Sequence, residues 1–212
     1  MIPLLHDFEG ETVLVVGGGP VGARKARRFA REARTVVVSP AFADADFGDA
    51  EPVRAAPDPD GVCEWVDRLA PALVVAATDD DGVNEAAERA ARDAGALVNR
   101  ADRSGGRDAG SVVVPATVRD DPVVAAVATG GAAPALSREL RRRIEAEIVD
   151  AGAMAELVGE LRADLKAADV PSTDRREAIR AVVRSSSVWK ALQEGTPNAR
   201  QEADRLMEER HD

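Results

Sequence analysis

The chain has 212 residues, more than the roughly 150 of a typical single domain, and its 38 acidic against 28 basic side chains give a formal charge of −10. That acid surplus excludes a nucleic-acid backbone or an anionic membrane as the main partner, since either would be repelled by most of the surface. Cys63 as the one cysteine excludes an intramolecular disulfide, His6 and His211 leave no cysteine/histidine metal cage, and neither a signal-peptide pattern nor an apolar run of about 18 residues occurs, so a soluble cytoplasmic protein is expected.

Thr12-Val13-Leu14-Val15-Val16 is a short β-branched run ending in three glycines, as expected of a strand buried on both faces. From Pro20 to Ala33 the period changes: Val21, Ala26, Phe29 and Ala30 alternate with basic residues at helical spacing, and Pro20 is tolerated near the first helical position. Thr35 to Val38 reads as the next buried strand. Residues Pro40 to Asp60 carry many Pro and Asp and read as loop, with one short strand around Pro52 to Ala55. Leu73 to Ala77 is another strand, Thr78-Asp79-Asp80-Asp81 supplies helix caps, and a helix follows from about Gly82 to Asp93. Gly95 stops it, and Ala96 to Asn99 is the next strand. Strands alternating with helices imply a parallel, doubly wound sheet with right-handed crossovers.

The pattern then changes. Val112 to Pro115 and Val123 to Ala128 read as strands joined by the polar turn Arg119 to Pro122, leading through Thr129-Gly130-Gly131 into a helix from about Pro134 to Asp150. Beyond Ala151 the chain is helical in pattern, with Leu157, Leu161 and Leu165 on one face. Breaks fall at Pro171 to Asp174, where Ser172 or Thr173 can cap the next helix, and at Gly195-Thr196-Pro197.

Gly17-Gly18-Gly19-Pro20-Val21-Gly22 contains G-x-G-x-x-G between a strand and a helix. Gly17 permits the tight turn, Gly19 lets a pyrophosphate approach the backbone, and Gly22 allows close helix–strand packing, with the helix N-terminus as an anion site. A dinucleotide is the expected ligand. The acid that commonly holds the ribose hydroxyl about 20 residues on is missing; Ser39-Pro40-Ala41 stands there, so this position leaves the choice of cofactor open. Ligands of open α/β sheets bind beyond the carboxyl ends of the strands, which brings in Thr78-Asp79 and Asn99 to Asp102. Asp102 is the carboxylate placed to take a proton while a nicotinamide takes a hydride. On position alone, a solvated loop aspartate is the favoured reading.

Leu4-Leu5-His6-Asp7-Phe8, the glycine motif through Lys25, Val38-Ser39-Pro40, Ala76 to Asp80 with Asn84, Val98-Asn99 with Asp102, and Ala128 to Leu136 occur in order over residues 3 to about 150. Together they resemble the siroheme synthase family, and within it the precorrin-2 dehydrogenase module. The resemblance implies NAD-dependent oxidation of precorrin-2 to sirohydrochlorin by a homodimer, and leaves Fe²⁺ insertion open. It implies Asp102 as general base, NAD lying across Gly17, Gly19, Pro20, Val21 and Gly22, Ser39, Pro40 and Ala41, and Thr78 and Asp79, and a tetrapyrrole near Thr129, Gly130 and Gly131. The expected architecture is α/β: a Rossmann-like NAD-binding domain over residues 1–111, a small α+β dimerisation segment over 112–150, and a helical C-terminal module over 151–212.

Such a substrate carries eight carboxylates, so its site should be locally basic. The arginines at 24, 27, 28, 100, 103 and 107, and those at 138 and 141 to 143, are candidates, because guanidinium forks suit carboxylates. For Arg141 to Arg143, helix-surface residues balancing nearby acids is the favoured reading. The segment from Arg103 to Ser111 is longer and richer in glycine than the usual connection in that family. Only Lys25, Lys166 and Lys190 are lysine, and this acidic, lysine-poor composition resembles that of proteins working in strong salt, with an acidic mesophilic protein from a GC-rich genome as the alternative. The alternative function is a non-catalytic module that senses NAD(H) or another nucleotide; it would have no need of Asp102.

Overall fold

The computed structural model describes residues 2–103 and 111–209, which fall into two compact units, Met1–Val114 and Pro115–Asp212. Arg107 and most of the segment from Arg103 to Ser111 lie outside the described residues.

The first unit is a five-stranded parallel sheet. Its strands are β1 (Thr12–Val16), β2 (Arg34–Ser39), β3 (Glu51–Arg54), β4 (Leu73–Ala76) and β5 (Leu97–Arg100), in the spatial order β3-β2-β1-β4-β5. Helix α1 (Pro20–Phe29) covers one face; α2 (Pro59–Leu69) and α3 (Asp81–Asp93) cover the other. Alternation along β1 shows why both faces are apolar: Val13 and Val15 pack with Phe8, Ala26 and Val37, while Leu14 and Val16 pack with Val62, Val66 and Ala87. The chain builds outward from β1 to β3 and then crosses back to β4, so the order reverses between β1 and β4. A crevice at the carboxyl ends of those two strands is where this topology places a ligand.

Three expectations are corrected here. Helix α2 occupies residues read as loop or left unassigned: Asp58 accepts from the Gly61 N–H at 2.8 Å, Pro59 begins the first turn, and Val62 and Val66 are fully buried. Helix α1 ends at Phe29, not at Ala33. Residues Val112 to Pro115 form no strand: Ser111 makes a single bridge to Val98, and Val112 packs on the apolar face that carries Phe8. Gly95 does end α3, with its N–H on the Arg92 carbonyl and that of Ala96 on Ala91.

In the second unit β6 (Ala116–Asp120) and β7 (Val123–Val127) pair antiparallel through a turn at Asp121 and Pro122. The first hairpin strand is therefore 116–120, where Val118 is buried and its neighbour Arg119 exposed, the alternation of a half-buried strand. Helix α4 (Pro134–Glu147) follows. The remaining helices are α5 (Ala151–Ala167), α6 (Ser172–Arg184), α7 (Ser186–Glu194) and α8 (Thr196–Glu208), packed around Met154, Leu157, Leu161, Val182, Val188, Leu192, Ala199 and Ala203. No hydroxyl caps α6; Thr173 donates to Asp174 instead. The break at Ser185, whose hydroxyl accepts from the Val188 N–H, is not foreseen in the sequence. Among the described residues no helix is long and apolar enough to cross a membrane.

Candidate functional site

The glycine turn sits on the β1 side of the crevice. Gly17 has φ +117°, a conformation that side chains rarely adopt, and a Cβ on it would run into the carbonyl of Ala77 just past β4. A Cβ on Gly22 would strike the Gly17 carbonyl, so the first turn of α1 packs directly on the turn that leads into it. Gly19 differs: a Cβ there meets nothing within 4 Å. Helix α1 carries neither an acidic residue in its first turn nor a side-chain cap, leaving the positive end of its dipole to a ligand. Open space over Gly19 and an uncapped helix start together fit a pyrophosphate.

On the β2 side, the Ser39 hydroxyl donates to the Ala41 carbonyl at 2.6 Å, and the Ala43 N–H donates to the Gly18 carbonyl at 2.8 Å, fixing Ser39, Pro40 and Ala41 beside the turn. Arg54, paired in register with Ser39 from β3, donates to the Pro40 carbonyl at 3.2 Å and lies over the Phe42 ring. It was not anticipated at this position, because only strand pairing brings it there.

On the β4 side, Thr78 is locked to Asn84 of α3. The Thr78 N–H donates to Asn84 Oδ1 at 3.1 Å, and the Asn84 amide returns a bond to the Thr78 carbonyl at 2.8 Å. Asn84 is buried, and its contribution is to hold this loop. Asp80 caps α3 by accepting from the Val83 N–H, while Asp79 stays exposed.

Beyond β5 lies the charged part of the site. Arg100 Nε and Nη2 donate to the two oxygens of Asp102 at 2.9 and 2.6 Å, and Nη1 donates to Glu88 of α3 at 2.8 Å. Glu88 also accepts from Arg92 at 2.6 Å. The Arg100 and Glu88 side chains are 4% and 8% exposed, whereas Asp102 is 17% and Arg92 38% exposed, so the group meets solvent at its two ends. The fork from Arg100 holds the Asp102 carboxyl below the usual aspartate range, with burial opposing, and the two acids raise Arg100 in turn. Arg100 is thus engaged inside the protein, which corrects its expected role as a direct contact for substrate carboxylates. On the opposite face of β5, Asn99 donates to the Val112 carbonyl at 2.7 Å, while its buried Oδ1 has no partner among the described residues and can accept from a ligand or water.

The first unit therefore brings Gly17 to Gly22, Ser39 to Ala41, Thr78 with Asp79, and Asp102 to the carboxyl ends of β1, β2, β4 and β5. Thr129, Gly130 and Gly131 belong to the second unit, in the turn before α4, where the Thr129 hydroxyl lies 2.8 Å from that of Ser137 and donates to the Ala133 carbonyl at 3.2 Å. On α4 the acids engage the arginines: Glu139 accepts from Arg142 and Arg143, which hold its carboxyl down at about 2, and Arg141 pairs with Glu145. Among the described residues no cluster of His, Cys, Asp and Glu is arranged to hold a metal ion.

Residues 4–116 match the family described as "Putative NAD(P)-binding". The chain is 36% identical over 211 residues to the siroheme synthase of Stutzerimonas stutzeri, covering 99% of this chain and 44% of that protein. It is 31% identical over 213 residues to the precorrin-2 dehydrogenase of Methanosarcina barkeri, covering 95% of this chain and 91% of that one. The chain thus spans less than half of the siroheme synthases but nearly all of the dehydrogenase. A solved structure of SirC, a precorrin-2 dehydrogenase, shares the fold with a TM-score of 0.71 at 21% identity, covering 99% of this chain and all of that one. With these matches over nearly its whole length, the chain belongs to the siroheme synthase and precorrin-2 dehydrogenase family, and its first unit is an NAD(P)-binding domain.

Proposed function

We propose that this protein is a precorrin-2 dehydrogenase that oxidises precorrin-2 to sirohydrochlorin with NAD⁺ and works as a homodimer. The observation that carries the reading is an oriented carboxylate, Asp102, beyond β5, one strand from the crevice that the glycine turn opens between β1 and β4. A module that only binds a nucleotide has no use for it.

The N-terminus of α1 binds the pyrophosphate over Gly19, Ser39 to Ala41 hold the adenosine end, and Thr78 and Asp79 flank the reacting end. Bound NAD⁺ supplies a two-electron acceptor for the hydride that leaves the tetrapyrrole. Asp102, ionised at neutral pH, stabilises the positive charge that remains and takes up the proton released. Thr129, Gly130 and Gly131 form part of the tetrapyrrole site. For the homodimer, support comes from α4, which buries none of its residues within the chain and leaves Leu136 49% exposed.

Purified protein mixed with precorrin-2 and NAD⁺ should show the rise of sirohydrochlorin absorbance; a folded, NAD-binding protein without turnover refutes the reading. Asp102→Asn should bind NAD⁺ as the wild type does and lose on the order of 10²- to 10⁴-fold in turnover. Wild-type rates in that variant remove Asp102 from the mechanism. Sirohydrochlorin and Fe²⁺ without NAD⁺ test metal insertion separately.

A further inference from the structure

Asp102 is one end of a chain of charges that begins on α3, the helix packed on the face of β5 from which Arg100 projects. Glu88, on the inner face of α3, accepts from Arg92 through one oxygen and from Arg100 through the other. The guanidinium, held from behind in this way through Nη1, turns the parallel donors of Nε and Nη2 to Asp102, one per oxygen. This fork geometry gives a fixed direction as well as attraction, which a single ammonium contact could not. It also needs the anchor: a buried guanidinium facing one carboxylate alone would have donors without acceptors.

We infer that Glu88 and Arg100 are positioning residues, Glu88 anchoring the guanidinium from α3 and the guanidinium fixing the direction in which the Asp102 carboxylate faces the site. The inference rests on the dehydrogenase reading of Asp102 and adds to it the two residues that hold that carboxylate. With the inner lone pairs of both oxygens occupied, Asp102 offers its outward pairs to a substrate and stays an anion through the physiological range. Among the described residues, the other charged groups near it are Arg103, which pairs with Glu85 of α3, and Arg92 at the far side of Glu88. None of them reproduces the fork.

The test compares wild type, Arg100→Lys and Arg100→Leu, with ¹³C NMR titration of the Asp102 carboxyl, assigned through Asp102→Asn, and with the pH profile of kcat/KM for precorrin-2. Arg100→Leu should raise the carboxyl midpoint by about one to three pH units and move the acid limb of the profile upward by the same amount, because a cationic partner that favoured the ionised form is gone. Arg100→Lys keeps a charge without the fork. Its midpoint should stay within about one unit of wild type while kcat falls at least tenfold with an unchanged KM for NAD⁺. If Arg100→Leu does not fold, the double variant Glu88→Gln/Arg100→Leu, which leaves no unpaired buried charge, takes its place with the same expectation. An unmoved midpoint without Arg100, or full turnover in Arg100→Lys, overturns the inference. Lack of turnover in the wild type would refute the dehydrogenase reading instead, and the titration alone would then decide whether Arg100 holds Asp102.

Discussion

Gly19→Ala adds one methyl group at a point where the protein has room and a bound dinucleotide does not. Gly19 has φ −74° and ψ −179°, an extended conformation open to alanine, and the added Cβ meets no atom within 4 Å. Folding should therefore gain slightly, by about 0.4 to 1 kcal/mol, because the unfolded chain loses freedom. Binding should suffer: a methyl group standing over the start of α1 keeps a pyrophosphate from at least one backbone N–H, and a hydrogen bond to a charged group is worth about 1.5 to 3 kcal/mol. At 1.4 kcal/mol per decade, the Kd for NAD⁺ rises roughly ten- to a hundredfold. Gly22→Ala is the contrast, since its Cβ strikes the Gly17 carbonyl and overpacks the α1–β1 contact at a cost of about 1 to 3 kcal/mol. Calorimetric titration with NAD⁺ and thermal melting read the two effects separately. Wild-type affinity in Gly19→Ala, or a melting temperature several degrees lower, would refute the placement of the pyrophosphate over this residue.

Arg54 stands at the carboxyl end of β3 beside Ser39 and Pro40, where its guanidinium can meet a ribose 2′-phosphate. Arg54→Ala should therefore weaken NADP⁺ binding about tenfold and leave NAD⁺ within about twofold, as measured by titration of both; equal losses would show that Arg54 acts only through the loop. Leu161 is 1% exposed at the centre of the helical core, and Leu161→Ala should cost about 2 to 5 kcal/mol of stability in denaturant melts; a loss below about 1 kcal/mol would mean that the helices repack around the gap.

The strand–turn–helix that opens the chain is legible in the sequence because its signals are local: a β-branched run, glycines, and a helical period begun by proline. Helix α2 was also written there, in Asp58-Pro59 as cap and first residue and in Val62, Val66 and Leu69 as an apolar stripe, but the prolines and aspartates around them read more readily as loop. The hairpin was misplaced for a related reason. The apolar run Val112 to Val114 looks more like a strand than Ala116 to Asp120, whose alternation around Val118 is the pattern of a strand with one covered face. Asp102 is singled out by its place after a strand, and the family resemblance, not that place, makes it the candidate base. What surrounds it is not singled out, because Glu88 comes beside Arg100 only when α3 packs on β5, and no spacing in the chain announces that contact.

Many of the arginines face acids of their own chain: Arg34 forks onto Glu51, Arg27 reaches Asp46, Arg200 binds Asp164 and Asp204, and Arg141 to Arg143 pair along α4. Seen from a distance such pairs nearly cancel, and the surplus of acids sets the field. An anionic tetrapyrrole diffusing toward the protein would then climb a repulsive potential that dissolved salt lowers, since the Debye length shrinks from about 10 Å at 0.1 M to about 3 Å at 1 M. Encounter rates with the proposed substrate should quicken as ionic strength rises, the reverse of electrostatic steering.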